Sequence, residues 1–117
     1  MPSRNWQLRL RDILAAIGSI QRQTAEMSFE EFSQNETLVK AVLYDFVVIG
    51  EAAIAIPPEL REQYSSIPWR LMGDMRNVIA HEYFQVELRT VWNTAQNNLP
   101  PLVVQLEAIL GSEGTEA

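Results

Sequence analysis

The sequence contains no cysteine and a single histidine, His81, among its 117 residues. The missing cysteines exclude disulfide bonds and thiolate metal sites. One histidine also argues against a zinc site within a single chain, because zinc sites combine several histidine or cysteine ligands. We therefore expect a protein that uses neither a metal ion nor another cofactor.

The chain also lacks long apolar runs and is poor in lysine. No apolar run approaches the roughly 20 residues that cross a membrane, and residues 1–6 lack the continuous apolar segment of a signal peptide. Lys40 is the only lysine, and the other eight of the nine basic residues are arginines. We expect a cytoplasmic protein that does not associate with membranes.

The formal net charge is −6 and the sequence pI is about 4.7. A protein that coats nucleic acid with its whole surface is basic, so any RNA contact of this chain must be local, at a few arginines. Arginine suits bidentate phosphate contacts better than lysine does, although simple composition bias also explains the arginine excess. The acidic surplus suits a positively charged partner protein.

Apolar residues recur at steps of three and four along most of the chain, which predicts amphipathic helices. Clear stripes occur in residues 6–20, 69–79 and 88–109. Residues 38–56 are apolar on two faces, which predicts a central helix buried by several neighbours. Gly50 lies within this helix, where it lowers helix propensity and indicates a closely packed neighbour.

The predicted fold is all-α: an antiparallel up-and-down bundle of four to five helices in one domain, residues 1–110. Pro100-Pro101 fall inside the last helix and are expected to kink or split it. Residues 111–117 are polar and are expected to form a flexible C-terminal tail. We find no strand-like alternation of useful length, no internal repeat and no linker.

Residues 76–84, Arg-Asn-Val-Ile-Ala-His-Glu-Tyr-Phe, combine several reactive side chains. On a helix, Asn77 and His81 are one turn apart on the same face, and Arg76 and Tyr83, about two turns apart, are nearly aligned. One helix terminus would then present a fixed cation, an amide, an imidazole and a phenol at one place. Histidine is the side chain that most readily exchanges a proton near neutral pH.

The same residues can also be explained by ordinary structural roles, without any catalytic function. A lone histidine near a helix end is usually a capping or packing residue that lies close to the last carbonyl groups, and Tyr83 would then cover the rim of the bundle. Asp74 could tune Arg76 or be an ordinary surface charge. The three tryptophans could stack on bases, but each lies on an apolar stripe, which is typical of core packing.

Arg76, His81 and Tyr83 form the pattern R-x4-H-x-Y of the HEPN superfamily, and the chain resembles one of its branches, the HepT toxin family. Further matching segments, in the order and at the spacing of that family, are residues 11–14, 27–32, 49–52, 67–70 and 91–92. The nine-residue block together with Ile-Gly-Glu-Ala and Ile-Pro-Trp makes this resemblance specific, and it covers residues 4–110.

The resemblance implies a helical bundle that forms a homodimer, with the motif helices of two chains in a shared cleft. Tyr83 matches the tyrosine that the cognate antitoxin, an MNT-domain nucleotidyltransferase, modifies with AMP. Glu51 is either an ordinary solvent-facing glutamate or, as a supporting residue, a buried partner of Arg76, and the resemblance leaves the two interpretations about equal.

RNA cleavage without a metal needs a base for the 2′-hydroxyl proton, an acid for the leaving 5′-oxygen and a cation at the phosphate. His81 can be the base or the acid, Arg76 can fork onto the phosphate, and Asn77 can hold the imidazole or the phosphate. One histidine cannot conveniently serve both proton transfers, whereas two chains related by a two-fold axis supply two.

Three functions are compatible with the sequence. The first is a metal-independent endoribonuclease toxin of a type VII-like toxin–antitoxin pair, neutralised by AMP transfer to Tyr83. The second is a non-catalytic helical subunit that binds a nucleotidyltransferase as a substrate-presenting or regulatory module. The third is a HEPN-like protein that has kept the fold and lost activity. The complete set of Arg76, Asn77, His81 and Tyr83 favours the first, and the acidic pI favours the second.

Overall fold

The computed structural model describes residues 5–112, in which seven α-helices are found and no β-strand. The helices are α1 Trp6–Thr24, α2 Phe29–Ser33, α3 Glu36–Ile54, α4 Pro58–Gln63, α5 Trp69–His81, α6 Leu88–Asn93 and α7 Leu99–Ser112. Four helical segments are long: α1, α3, α5 and the continuous run from α6 to α7. The other two helices, α2 and α4, have a single turn or little more. The predicted all-α fold with four to five main helices is confirmed.

Capping side chains set the starts of several helices. The Oδ1 atom of Asn5 accepts a hydrogen bond from the backbone N–H of Gln7 at 2.8 Å, at the start of α1. Ser28 and Glu31 form the reciprocal capping box of α2, and Asn35 caps α3. Each cap gives a partner to amide groups that the first helical turn leaves unsatisfied.

The core is a single apolar cluster organised around α3. α3 packs against α1 on one side and against α5 on the other, as its two apolar faces predict. From α1, Ile13, Ile17 and Ile20 are completely buried. Full burial of a side chain of this size stabilises a fold by about 1.5–3 kcal/mol, so the α1–α3 contact is a major source of stability.

The C-terminal helical run is interrupted one turn before its two prolines. Residues Thr94–Asn98 form a π-helical turn, in which the N–H of Leu99 donates to the carbonyl oxygen of Thr94. Pro100 and Pro101 are the second and third residues of α7, and because they have no N–H they cannot continue the hydrogen-bond pattern of the preceding turn. The predicted split at Pro100-Pro101 therefore occurs in the turn that precedes them.

The end of the domain differs slightly from the prediction. Gly111 and Ser112 belong to α7, so the helix continues two residues beyond the predicted boundary at residue 110. The remainder of the predicted tail, residues 113–117, lies outside the described residues.

α5 is held mainly by α3, since its opposite side borders a cleft. The cleft has a volume of about 300 Å³ and separates α5 from the C-terminal helical run. Its lining is predominantly apolar and comprises Phe46, Ile49, Pro68, Leu71, Met72, Met75, Thr94, Asn98, Leu99 and Leu102.

α3 and α5 cross very closely at Gly50. A Cβ atom at this position would collide with the Cβ of Arg76 and lie 2.8 Å from the carbonyl oxygen of Met72. From the other helix, Gly73 faces Ile54, and a Cβ there would lie 3.0 Å from the Cγ1 atom of Ile54. The closely packed neighbour that Gly50 predicts is thus the helix that carries the motif.

We predict that Gly50→Ala lowers the free energy of unfolding by about 1–3 kcal/mol, the usual cost of overpacking. The added methyl group meets helix backbone, which cannot move aside as a flexible side chain can. Urea denaturation monitored by circular dichroism measures the change.

Gly18→Ala is the matched control, because the Cβ would meet only the end of the Arg22 side chain, at 3.4 Å. There the better helix propensity of alanine should raise stability by up to about 1 kcal/mol. Equal stabilisation by both substitutions would show that the α3–α5 crossing is not tight.

Candidate active site

The motif residues 76–84 do not share one helix. α5 ends at His81, Glu82 leaves the helix with φ −135° and ψ 48°, and Tyr83–Gln85 form a single 3-10 turn. The prediction that Arg76 and Tyr83 align along one helix is therefore wrong. The chain has to leave the axis of α5 at this point so that Val86 can pack against the core.

Arg76 is held by a carboxylate from the neighbouring helix. Its Nε donates to Oε2 of Glu51 at 2.8 Å, and its Nη2 lies 2.5 Å from the same oxygen. The side chains of Arg76 and Glu51 are 28% and 53% exposed, so Glu51 pairs with Arg76 but is not buried. An ion pair with this much exposure contributes little to stability, and its main effect is to fix the direction of the guanidinium group.

Asn77 holds the same guanidinium group from within α5. The Nη1 atom of Arg76 donates to Oδ1 of Asn77 at 2.9 Å. An arginine has five N–H donors, of which Glu51 and Asn77 engage three, one each on Nε, Nη1 and Nη2. The remaining two can bind an anionic ligand.

His81 is the last residue of α5 and is exposed to solvent. Within residues 5–112, no hydrogen bond or ion pair engages its imidazole. In particular, the ring does not cap the carbonyl groups at the end of α5, which is the role that a purely structural histidine would have. The imidazole can therefore accept or donate a proton to a ligand without first breaking a contact in the protein.

Two aromatic residues follow the end of α5. The rings of Tyr83 and Phe84 are perpendicular, with 5.4 Å between their centroids. Residues 81–85 together line a shallow, open depression, which brings both rings to the same surface as His81. Tyr83 is 40% exposed, whereas Phe84 is 96% exposed.

Phe84 is the residue of this surface that sequence reasoning missed. The motif ends at this residue, and the sequence contains one signal of its exposure: Phe84 is not part of the apolar stripe of α5 or of the C-terminal run. Periodicity identifies buried faces, and it does not tell an exposed aromatic side chain in a turn from a buried one.

Asp74 and the three tryptophans have ordinary structural roles. The Oδ2 atom of Asp74 lies 3.9 Å from Nε of Arg70, and both side chains are largely exposed, so Asp74 is a surface charge that pairs away from Arg76. Trp69 is buried, and its Nε1 donates to a backbone carbonyl group. Trp6 and Trp92 are partly buried against the core, in agreement with their positions on apolar stripes.

Within the described range, no group of three or more histidine, aspartate or glutamate side chains is placed to hold a metal ion. Over the same part of the chain, each helix is too short or too polar to cross a membrane.

Comparison with known proteins places this site in a family. The family model described as "Ribonuclease HepT-like" matches residues 13–109, a range that includes the whole motif. "Putative RNase MJ0125" of Methanocaldococcus jannaschii is 38% identical over 110 residues, which cover 94% of this chain and 95% of that protein. "Probable ribonuclease HepT" of Thermococcus cleftensis is 36% identical over 100 residues, covering 86% of this chain and 91% of that protein.

A third relative has a similar sequence identity. "Putative RNase TTE0752" of Caldanaerobacter subterraneus is 38% identical over 87 residues, or 74% of this chain and 78% of that protein. No solved structure was found to match the chain.

The fold and the motif define a helical bundle of the HEPN type. The chain belongs to the HepT-like ribonuclease family, which confirms the resemblance inferred from its motifs.

Proposed function

We propose that this protein is a metal-independent endoribonuclease that acts in the cytoplasm as the toxin of a type VII-like toxin–antitoxin pair. The observation that carries the proposal is the contrast between two side chains of α5. Arg76 is fixed by Glu51 and Asn77 with two N–H donors left over, whereas the imidazole of His81 is exposed and has no hydrogen bond or ion pair to any of residues 5–112. Phosphodiester cleavage requires a positioned cation and a group that can transfer protons.

The reaction follows from these roles. The imidazole of His81 removes the proton of a ribose 2′-hydroxyl, and the 2′-oxygen attacks the adjacent phosphorus atom. The two free N–H groups of Arg76 stabilise the charge that develops on the non-bridging oxygens. The bond from phosphorus to the 5′-oxygen then breaks, the leaving oxygen takes up a proton, and the products are a 2′,3′-cyclic phosphate and a 5′-hydroxyl.

A homodimer supports this chemistry, because the leaving 5′-oxygen needs an acid while His81 serves as the base. A second chain would supply a second histidine at a shared cleft. The outer face of α5 is suited to such a contact: Leu71, Met75 and Val78 recur at helical spacing, and Leu71 and Val78 are exposed. Exposed apolar surface of this kind often marks an interface.

Tyr83 is the proposed site of control. Tyr83 is 40% exposed, so a nucleotidyltransferase antitoxin of the MNT type can reach it. Transfer of AMP would add a bulky purine and a phosphodiester charge beside His81. The added bulk and negative charge would keep an RNA phosphate away from His81, which lines the same depression as Tyr83.

The acidic net charge of −6 favours a second candidate function. In it, the protein is a non-catalytic subunit that binds a nucleotidyltransferase and presents or regulates its substrate. Both functions include the same partner, so a complex with the transferase does not separate them. Cleavage of RNA by the purified protein does.

We predict cleavage of single-stranded RNA in the presence of EDTA, with 2′,3′-cyclic phosphate ends. His81→Ala should lower the rate by about 10²–10⁴-fold, the usual contribution of one general acid–base group. Arg76→Ala should have a comparable effect. Cleavage of a labelled oligonucleotide, with mass spectrometry of the products, measures both.

Arg70→Ala is the matched control for Arg76, since Arg70 lies on the same helix and pairs only weakly with Asp74 at the surface. Its cleavage rate should equal that of the wild type. Loss of activity in EDTA, or unchanged activity of the His81→Ala protein, would refute the proposed mechanism.

We predict that Val78→Glu weakens the homodimer, because it places a charge on the exposed face of α5 one turn before His81. Sedimentation velocity at micromolar concentration should show a shift toward monomer. Leu8→Glu is the control: Leu8 is 39% exposed and Val78 is 41% exposed, but Leu8 lies on α1. A wild-type protein that is monomeric at this concentration contradicts the dimer.

We predict that Tyr83→Phe prevents inhibition by the transferase, because the substitution removes the acceptor hydroxyl and keeps the ring. The protein is incubated with ATP, magnesium and the nucleotidyltransferase, then assayed by intact mass and by RNA cleavage. Wild-type protein should gain AMP and lose activity, whereas the variant should do neither. AMP on another residue would assign the inhibition to a different modification site. Full inhibition of the variant without AMP transfer would assign it to complex formation.

A further inference from the structure

We propose that Phe84 is a nucleobase-binding residue, on which an unpaired base of the RNA stacks next to the phosphate that is cleaved. This inference deepens the proposed endoribonuclease function and rests on it. It adds a subsite for the base to a site whose other residues act on the phosphate and on protons.

The first observation is the exposure of the ring. Phe84 is 96% exposed, the highest value for a large apolar side chain in residues 5–112, and Tyr44 and Leu71 follow at 68%. Packing within the chain therefore makes almost no use of this side chain. An isolated exposed apolar residue is common on protein surfaces, so the position of Phe84 has to carry the argument.

The second observation is that position. Phe84 lines the same open depression as His81, three residues beyond the end of α5. The turn that carries it is fixed on both sides: the N–H of Gln85 donates to the carbonyl oxygen of Glu82 at 2.8 Å, and Val86 packs against the core. A base on Phe84 would thus lie at a defined place relative to the imidazole.

The third observation is the arrangement of the two rings. Tyr83 and Phe84 are perpendicular at 5.4 Å and form a corner rather than a closed stack. A planar base that stacks on Phe84 would meet the neighbouring ring at one edge, which limits its orientation. Every base has a π-face, so such a platform accepts all four bases and favours unpaired segments.

The charge of the depression favours a base over a phosphate. Glu82 lines it together with Phe84, and a carboxylate there repels a phosphate but not an uncharged base. Arg76, the cation that would attract the phosphate, is not among the residues that line the depression. The chain as a whole has a net charge of −6, so long-range attraction contributes little and stacking has to provide much of the RNA affinity.

Binding of an uncleavable RNA tests the subsite separately from catalysis. The probe is a short oligonucleotide of 2′-O-methyl RNA, whose 2′-oxygen cannot attack phosphorus. Phe84→Leu, which keeps apolar bulk and removes the π-face, should weaken binding by about 5- to 150-fold, the range for loss of one base–aromatic stack. Phe84→Trp should restore wild-type affinity. Fluorescence anisotropy measures each dissociation constant.

Two controls identify the contact as one between a base and Phe84. Tyr44→Leu removes another exposed aromatic ring, from α3, and should leave RNA affinity unchanged. The second control is a series of oligonucleotides, each lacking one base. One of them should bind the wild-type protein as weakly as the complete oligonucleotide binds Phe84→Leu. This abasic oligonucleotide should bind the wild type and Phe84→Leu with equal affinity, because the stacking contact is already absent.

On cleavable RNA, Phe84→Leu should raise KM and leave kcat within about twofold, because stacking acts equally in the ground state and the transition state. Wild-type affinity and wild-type KM for Phe84→Leu would overturn the base subsite while leaving the endoribonuclease in place. The base subsite would also be overturned if Phe84→Leu kept its RNA affinity but dissociated the dimer or lost binding to the transferase. Phe84 would then belong to a protein interface. Absence of cleavage by the wild type, with Phe84-dependent RNA binding retained, would instead refute the endoribonuclease and support the base site.

Discussion

The close crossing of α3 and α5 is the constraint on which the site depends. Because Gly50 has no side chain, the backbone of α5 lies directly against α3, and the next residue of α3, Glu51, reaches the guanidinium group of Arg76. A wider crossing would leave Arg76 to be fixed by Asn77 alone. The α1–α3 contact, with its fully buried isoleucines, supports α3 from the other side and so provides the rigid base for this crossing.

The site combines a restrained group with an unrestrained one. Arg76 is fixed by contacts from two helices, which lowers the entropy that binding of an anion would otherwise cost. The imidazole of His81 lies at the end of α5 without a hydrogen-bond partner among residues 5–112, so it can exchange a proton with a ligand without first breaking a contact in that part of the protein. Acid–base chemistry on a phosphodiester benefits from this division, because the charge must stay in place while the proton moves.

Much of this arrangement was predictable from the sequence because it depends on local signals. Apolar periodicity located the main helices, and Gly50 indicated a close neighbour. The end of α5 at His81 was not predictable, because it is set by the return of the following chain to the core. The exposure of Glu51 was equally hidden, since the sequence left open whether this residue faces solvent or pairs with Arg76, and in the structure it does both.

The cleft beside α5 has a consequence for local stability. A helix packed through one face has fewer buried contacts to lose when it detaches, so its local opening free energy is lower than that of a helix packed on two sides, such as α3. Arg76 and His81 are both carried by α5. A molecule that filled the cleft would add contacts on the open side of α5 and raise the free energy of its local opening, without touching Arg76 or His81.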